Sequence, residues 1–506
     1  MSNHARVMQV DLRLLSASQN PAPWLSEAVQ ANRQWMRRSA LLHIPLTADG
    51  HMDPVVVSWA HDFHNEHTAM NYASDVAAYF GYLGEQRDGL SWLDVRRGDV
   101  TAYLQWRRTE ASVVRRGAIQ RIQRGVSAST IVRNRAALMS LYGYAVDHDA
   151  VSSNPVPTGN INVTRGQVLA DVNWLTRRAY QRWRSEALLG VGAARAESMV
   201  MRDRNVAYAD LLYSSGMRRS EAAGLLLVEV PTAQITSRLF KGRVPGALSK
   251  NSPERGRIFY LGKEVLATIN EYVSQMRVLD EAAGLASGVY EEVPNALIVQ
   301  RVSRRNGLAT KVTVDDTESG ETVQIGLDEL DWSQRARTFG LDSEGRRRPL
   351  ALWLGQHGRP LQPTSWNDVF SEACDRMAAS SRVPHGSLQI DDDTSIYVHP
   401  HMLRHSFALH VFALSAMMSL RQQDRVNQAG LRSLIEEGNI WLRVQNLLGH
   451  KHLQVTRDHY LAPVLALEWD WFLAATEQAP TQLDEALALI AQSDERVIDS
   501  TIGVGG

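Results

Sequence analysis

The sequence predicts a mainly helical fold with a small β-sheet (α+β), in which a small helical domain precedes a larger, mostly helical one. Three observations lead there. Apolar residues recur at helical spacing through Tyr72, Val76, Tyr79, Phe80 and Leu83, then through Val100, Tyr103 and Leu104. Ser127 to Val146 opens on capping residues and continues as an amphipathic helix. Further along, Ile235 to Phe240 and Arg257 to Leu261 read as paired strands, the second following a turn at Asn251-Ser-Pro-Glu-Arg-Gly256.

Taken in order, residues 1–55 form an extension with no readable role. Residues 56–157 make the small helical domain, closed by Asn154-Pro-Val-Pro-Thr-Gly159, and 158–170 a linker. The larger domain spans 171–476. It begins with helices at Asp171 to Leu188 and Asn205 to Ser215, with Arg218 placed where the second ends. Pattern lapses over 280–348, where Lys311-Val-Thr-Val and Glu321-Thr-Val-Gln-Ile-Gly suggest a separate acidic hairpin, read as an insertion. It returns at Leu350 to Leu354 and in a helix from Thr364 to Met377. A shorter insertion is expected over 418–438, and 477–506 form a C-terminal tail.

Bulk properties narrow the class. A chain of 506 residues with 44% hydrophobic content can bury ordinary cores. The single cysteine, Cys374, leaves no internal disulfide framework and fits a reducing compartment. The first residues lack the features of a secretory signal, and the apolar stretch from Phe407 to Leu420 is too short to span a membrane, so a cytoplasmic protein without membrane partners is expected. Net charge is −1, with 54 basic residues against 55 acidic ones, which by itself argues against nucleic acid. The charge is segregated, however. Arg96, Arg97, Arg107, Arg108, Arg115, Arg116, Arg121, Arg124, Arg133 and Arg135 meet only Asp99 and Glu110 in their interval, while acidic residues gather at Asp315 to Asp331 and Asp391 to Asp393. A basic face on an otherwise acidic chain suits phosphate contacts, and Arg107, Arg108, Arg115, Arg116, Arg121, Arg124, Arg133 and Arg135 are the candidate DNA-binding residues. The plain alternative is an arginine-rich solvated face.

A chemical set emerges from three compact stretches. Leu447 to Tyr460, LLGHKHLQVTRDHY, carries His450 after a Leu-Leu-Gly that reads as the end of a buried helix, and ends on the only tyrosine after Tyr397. Pro400-His-Met-Leu-Arg-His-Ser406 supplies His401 and Arg404, and Gly216-Met-Arg-Arg-Ser-Glu221 supplies Arg218. A phosphodiester under attack gathers negative charge on its non-bridging oxygens, which forked guanidiniums match bidentately. Tyrosine, with a reference pKa of about 10, needs help losing its proton before it attacks. His401 can take that proton, and His450 can bond a phosphate oxygen. The leaving 5′-hydroxyl needs an acid, for which arginine is too basic and a lysine in a cationic site is suited. Of five lysines in the chain, Lys250 stands at the entry to the hairpin turn.

These boxes and their order resemble the tyrosine recombinase (phage integrase) family over roughly residues 57 to 475. The resemblance implies a SAM-like helical core-binding domain that packs across one side of the duplex, followed by the catalytic domain, the two clamping DNA. It implies Arg218 with Glu221 as its acidic companion, Lys250 on a β-hairpin, His401 and Arg404, His450, and Tyr460 as nucleophile. It further implies site-specific DNA recombination through a 3′-phosphotyrosine without ATP, metal or other cofactor, on double-stranded DNA, by a homotetramer assembled there, with helper proteins as candidate partners. The segment Leu461 to Thr476, with Trp469 and Trp471, is the candidate docking helix; packing within its own chain is the alternative. Two departures stand out. The His450–Tyr460 interval is one residue longer than the commonest family spacing, and Arg218 and His401 lie further apart than in a minimal member.

Two other classes are weighed beside this one. A catalytically silent DNA-binding relative would share the fold but would typically lack a box. A metal-dependent nuclease would use histidines and aspartates as ligands. For that reading His401 and His405 lack the glutamate of a zincin, Met402 standing in its place; His61, His64 and His67 share a helix face only loosely; and Asp391 to Asp393 read as a solvated loop.

Overall fold

The computed structural model describes residues 7–11, 41–47, 49–63, 66–116, 119–158, 173–191, 201–232, 238–249, 256–317, 319–381, 397–422, 439–456, 460, 487–488, 491 and 497–498. Chain contacts divide it into two units, Met1–Ala170 and Asp171–Gly506.

The first unit is a helical bundle edged by a strand pair. Strand β1 (Val7–Asp11) pairs antiparallel with β2 (Leu41–Pro45), so part of the unread extension belongs to the fold. Leu42 and Ile44 are buried in one cluster with Val56 and Trp59. Helix α1 (Pro54–His61) is capped by Asp53, whose side chain accepts from the Val55 and Val56 amides. Helices α2 (Glu66–Gln86) and α3 (Arg97–Thr109) follow. Strands β3 (Ala111–Arg116) and β4 (Ile119–Arg124) make a hairpin, and α4 (Ala128–Asp147) starts from Ser127, which caps the Thr130 amide. The helical spacings read from the sequence mark the buried faces: Val76, Tyr79, Phe80 and Leu83 of α2 meet Val100, Tyr103 and Leu104 of α3 and Leu138, Leu141 and Tyr142 of α4. The Tyr79 and Tyr142 hydroxyls bond each other at 3.1 Å, and Tyr142 donates to the Trp92 carbonyl at 2.8 Å, so two buried phenols are satisfied.

The second unit opens differently from the expected long helix. Trp174–Leu175 is a strand, β5, and Thr176 caps helix α5 (Arg177–Trp183), which runs into a π-helical turn at Arg184–Leu188. The indole and leucine side chains of β5 are fully buried, and that burial overrides helix propensity there. Helix α6 (Arg202–Ser215) ends at Gly216, and α7 (Arg219–Ala223) follows at once. Strands β6 (Leu239–Val244) and β7 (Arg257–Gly262) pair antiparallel from Leu239↔Gly262 to Val244↔Arg257. Helices α8 (Lys263–Glu271) and α9 (Arg277–Ser287) lead to the inserted region.

There β8 (Leu297–Arg305), β9 (Leu308–Asp316), β10 (Thr322–Gly326), β11 (Thr338–Leu341) and β12 (Arg347–Pro349), with the short helix α10 (Trp332–Ala336), form one five-stranded sheet in the order β10-β9-β8-β11-β12. The hairpin between Lys311 and Gly326 is present, but it is not separate: its apolar face, with Val312 and Val314, packs on Leu226, Leu327 and Leu330. Nor is the region uniformly acidic, since Arg301, Arg304, Arg305 and Lys311 are exposed along β8 and β9.

Helix α11 (Ser365–Ser381), helix α12 (Pro400–Gln422) and helix α13 (Asn439–Leu448) complete the described helical core. The expected insertion at 418–438 begins inside α12, and 423–438 lie outside the described residues. The C-terminal segment is no loose tail where it is described: Leu487, Ala491 and Val497 are buried with Trp174, Phe412 and Tyr460, and β13 (Val497–Ile498) pairs in parallel with β5. Among the described residues no helix is long and apolar enough to cross a membrane.

Candidate active site

Two glycines bring the arginine boxes together. Gly216 ends α6 at φ 62°, a left-handed conformation, and a Cβ there would meet the Phe407 ring at 2.3 Å. The tight turn sets Arg218 at the N-cap of α7, and the Glu221 carboxylate reaches back to the Arg218 amide at 2.8 Å. Gly449, at φ 66°, ends α13, and a Cβ there would meet Arg257 Cδ at 2.7 Å. This leaves room for Arg257 under the Leu448-Gly449-His450 corner.

Glu221 is fully buried among three guanidiniums. Arg218 Nη1 donates to Oε1 at 2.8 Å, Arg257 Nη2 donates to Oε2 at 2.7 Å, and Arg404 Nη1 lies 4.0 Å away. Burial alone would raise its pKa, but the charges of Arg257, Arg404 and Arg218 outweigh that and bring it down to about 2. The carboxylate therefore stays ionised and fixes the guanidiniums in place.

Arg404 comes from the first turns of α12 and is completely buried. Nη1 donates to the Gly216 carbonyl, Nη2 to the Leu448 carbonyl at 2.6 Å and to His450 Nε2 at 3.0 Å, and Nε to the Tyr460 phenol oxygen at 3.2 Å. Its surroundings, burial first and then Arg218 and Arg257, bring even this guanidinium down to about 10, against the opposing pull of Tyr460 and Glu221.

Proton positions follow from the donors that have no choice. Arginine only donates, so His450 Nε2 accepts and Nδ1 carries the hydrogen toward Thr456 Oγ1, 2.8 Å away. In this tautomer His450 can donate to a phosphate oxygen only after its proton moves. The phenol oxygen of Tyr460 likewise accepts from Arg404, and its own hydrogen is left for His401 Nε2, 3.2 Å away. Burial and the charges of Arg404, His399, Arg218 and Arg219 hold His401 low, at about 3, and burial followed by Arg404, Arg218 and Arg257 does the same for His450. His401 keeps an exposed edge, which weakens the burial cause and leaves the guanidinium charges as the firmer one. Both imidazoles are neutral at ordinary pH.

Tyr460 itself is only 6% exposed. Its ring stacks on His405 at 4.1 Å between centroids and 25° between planes, with His450 4.3 Å away on another side. The Trp174 indole donates to the Tyr460 carbonyl at 2.8 Å, and Ser406 Oγ accepts from the Leu175 amide at 2.7 Å, so β5 ties the tyrosine segment to α12. The hydroxyl points at His401, the exposed residue of the set.

Of the residues expected from sequence, Arg218, His401, Arg404, His450 and Tyr460 converge, while Lys250 lies outside the described residues, as do the Leu461 to Thr476 segment, Asp391 to Asp393 and His64. Arg257, His405 and Trp174 were missed as site residues. Arg257 left a usable trace: it is the one charged residue at an inward position of an alternating strand, Arg257-Ile-Phe-Tyr-Leu261. Among the described residues, no group of three or more His, Cys, Asp or Glu is arranged to hold a metal.

The basic candidates of the first unit divide. Arg108 is exposed. Arg107 donates to Glu110 at 2.6 Å and Asn134 at 3.3 Å, Arg133 holds buried Asp75 through two bonds of 2.7 and 2.9 Å, and Arg135 donates to the Pro157 carbonyl at 2.8 Å. Arg115, Arg116, Arg121 and Arg124 belong to β3 and β4.

Comparison with known proteins gives the same direction. Residues 63–149 match the family described as phage integrase, N-terminal SAM-like domain. Tyrosine recombinase XerC of Listeria innocua serovar 6a is 25% identical over 190 residues, 37% of this chain and 55% of the relative, and that of Listeria welshimeri serovar 6b is 26% identical over the same length. The chain thus spans about half the length of the curated relatives it matches. Solved structures that align with it include XerH site-specific recombinase bound to difH substrate, at TM-score 0.40 and 15% identity over 90% of this chain and 93% of that one, and the Tn1549 transposon integrase with circular intermediate DNA, at TM-score 0.39 and 12% identity over 80% and 92%. The similarity therefore lies in residues 63–149, which match the phage integrase N-terminal SAM-like domain, and in a 190-residue stretch that resembles tyrosine recombinases.

Proposed function

We propose that the protein is a site-specific DNA recombinase that breaks and rejoins strands through a 3′-phosphotyrosine. The observation that carries this reading is the phenol oxygen of Tyr460 held between Arg404 Nε and His401 Nε2, each at 3.2 Å. Arg218 and Arg404 bind the non-bridging oxygens of the scissile phosphate and stabilise the charge that develops on them. His401 Nε2 takes the phenol proton as the Tyr460 oxygen bonds to phosphorus. The bond from phosphorus to the 5′ oxygen breaks, and Lys250 gives that oxygen its proton. The 5′-hydroxyl of a partner strand then attacks phosphorus, giving its proton to Lys250, while the bond from phosphorus to the Tyr460 oxygen breaks and His401 returns the phenol proton, so the bond energy is conserved without ATP. The partner is double-stranded DNA, the basic residues of the first unit contribute phosphate contacts, and two cleaved duplexes call for a tetramer on DNA.

The experiment is recovery of DNA covalently attached to the protein from cells, followed by sequencing of the attached end. The recovered site, made into a nicked suicide substrate, is then cleaved in EDTA. A covalent adduct that Tyr460→Phe abolishes while binding persists is the expected result. Cleavage that depends strictly on a divalent cation and leaves no adduct would replace this reading with the nuclease, and binding without either product would replace it with the silent relative.

A further inference from the structure

Thr456 is completely buried against the Nδ1 edge of His450. Its Oγ1 lies 2.8 Å from Nδ1, while on the opposite edge Nε2 lies 3.0 Å from Arg404 Nη2. Among the described residues, His450 is the only hydrogen-bond partner of the threonine side chain. The main chain holds the histidine in place: its amide donates to the Gln445 carbonyl at 3.1 Å, and the Gln445 side-chain amide donates to its carbonyl at 3.0 Å. The imidazole thus stands between a guanidinium that only donates and a hydroxyl that can donate or accept.

In the free protein the guanidinium fixes the tautomer, and the hydroxyl serves as acceptor for Nδ1–H. On the recombinase reading, a phosphate oxygen arriving beside Arg404 reverses the demand. A bare Nε2 lone pair repels that oxygen, and an Nε2–H attracts it. Protonating the whole ring would supply the hydrogen, but it adds a cation where burial and the charges of Arg404, Arg218 and Arg257 already hold His450 at about 3. Exchanging the tautomer adds no charge. Water takes the hydrogen from Nδ1 and returns one to Nε2, and the Thr456 hydroxyl turns to donate to the bared Nδ1. Arg404 Nη2 gives up His450 as acceptor but keeps the Leu448 carbonyl at 2.6 Å and gains the phosphate. A carbonyl or carboxylate in place of the hydroxyl would only accept, and would lock the ring in its free form.

We propose that Thr456 is a positioning residue whose hydroxyl reverses its hydrogen bond with His450, turning the neutral imidazole from an acceptor for Arg404 into a donor toward the scissile phosphate. This deepens the recombinase reading and rests on it.

The test follows adduct formation by the full chain on the recovered site. Wild type must form the adduct and Tyr460→Phe must not; failure of that control ends the recombinase reading itself. With the control met, Thr456→Val, which keeps the branched shape without the hydroxyl, is expected to slow the adduct step by on the order of tenfold. Its affinity for the site should stay within about threefold of wild type, and Thr456→Ser should recover most of the rate. In a His450→Ala background, where no tautomer is left to set, Thr456→Val should cost less than about twofold more. Equal slowing with and without His450, no slowing at all, or a serine variant as slow as the valine one overturns the assignment while leaving Tyr460 as nucleophile intact. A second measurement serves where the valine variant does not fold. Nitrogen NMR of the Tyr460→Phe chain carrying ¹⁵N-histidine, with the His450 signals identified by their loss in His450→Ala, should find the hydrogen on Nδ1 without DNA and on Nε2 with the recovered site bound. Hydrogen on the same nitrogen in both states, or on both nitrogens with DNA bound, overturns the switch.

Discussion

Arg404 Nε lies 3.2 Å from the phenol oxygen of Tyr460, which accepts its hydrogen bond. On the proposed reading, in which Arg404 binds the scissile phosphate, the tyrosine of the free protein occupies part of that anion site. Tyr460→Phe removes one acceptor from a buried guanidinium and should lower stability by about 1 kcal/mol. Binding of the recovered site should persist, and it should not weaken, because the phosphate no longer displaces the hydroxyl. Denaturant melts and fluorescence anisotropy measure the two effects separately; a tenfold loss of affinity would show that the hydroxyl assists binding instead.

Arg257 links three parts of the chain. It donates to Glu221 at 2.7 Å, to the Leu447 carbonyl at 2.8 Å and to the Gly216 carbonyl at 3.4 Å. Arg257→Ala should destabilise the protein by about 3–5 kcal/mol, because breaking a buried pair leaves the other charge without its partner. Arg257→Lys cannot reproduce the fork and should recover only part of that loss. Thermal or urea unfolding of both variants checks the order, and equal stability of Arg257→Ala and wild type would contradict it.

The boxes around Tyr460 were legible because each is local: His401 and Arg404 share one face at the start of a helix, and Glu221 accepts from the Arg218 amide and guanidinium within one turn. Their convergence was legible only through the family resemblance, since nothing in residue spacing says that Gly216 and Leu448 offer carbonyls to the same guanidinium. Arg257 escaped because its inward placement depends on the register of β6 and β7. Trp174 escaped because a helical reading of Asp171 to Leu188 hid a two-residue strand whose partner is more than 300 positions away. The inserted sheet was read as a lone hairpin because the parallel pairing of β8 with β11 has no local signal.

Acid should weaken the fold in two stages. His450 and His405 are buried and held below the ordinary imidazole range, by burial first and then by neighbouring positive charge, and His450 reaches about 3. A lowered folded value means that the unfolded chain binds more protons, so this stability is complete above about pH 6.5 and is lost as pH falls toward 3. Glu221, lowered to about 2 by its guanidiniums, adds a second loss below about pH 4.5. The combined effect is on the order of several kcal/mol. Unfolding midpoints from pH 8 to 4 should fall, and His450→Gln should flatten the upper part of that slope; a pH-independent midpoint would show that these histidines are not held neutral by the fold.

His405 stacks on Tyr460 without a hydrogen bond to it, and its Nδ1 has no partner among the described residues. The ring therefore acts by shape, holding the phenol plane between His401 and Arg404. His405→Phe keeps an aromatic surface and should retain adduct formation within a few-fold, whereas His405→Ala opens a cavity and should slow it by on the order of ten- to 100-fold. If both variants fail alike, the imidazole itself is needed and the shape argument is wrong.

Arg108 and Arg133 should behave differently although both are arginines of the same basic stretch. Arg133 is held by Asp75, which is 4% exposed, whereas Arg108 has an exposed side chain. A guanidinium already matched to a carboxylate releases fewer counterions on meeting a phosphate than an unmatched one does. If Arg108 contacts DNA, Arg108→Ala should reduce the slope of log K against log salt by roughly 1 with little change in melting temperature. Arg133→Ala should leave that slope nearly unchanged and instead lower the stability of the helical unit by about 1–3 kcal/mol, since it strands Asp75 in a poorly hydrated position. Salt titrations of binding and thermal melts of the full chain read the two arms independently, and a slope change in Arg133→Ala equal to that in Arg108→Ala would show that Asp75 gives up its partner when DNA arrives.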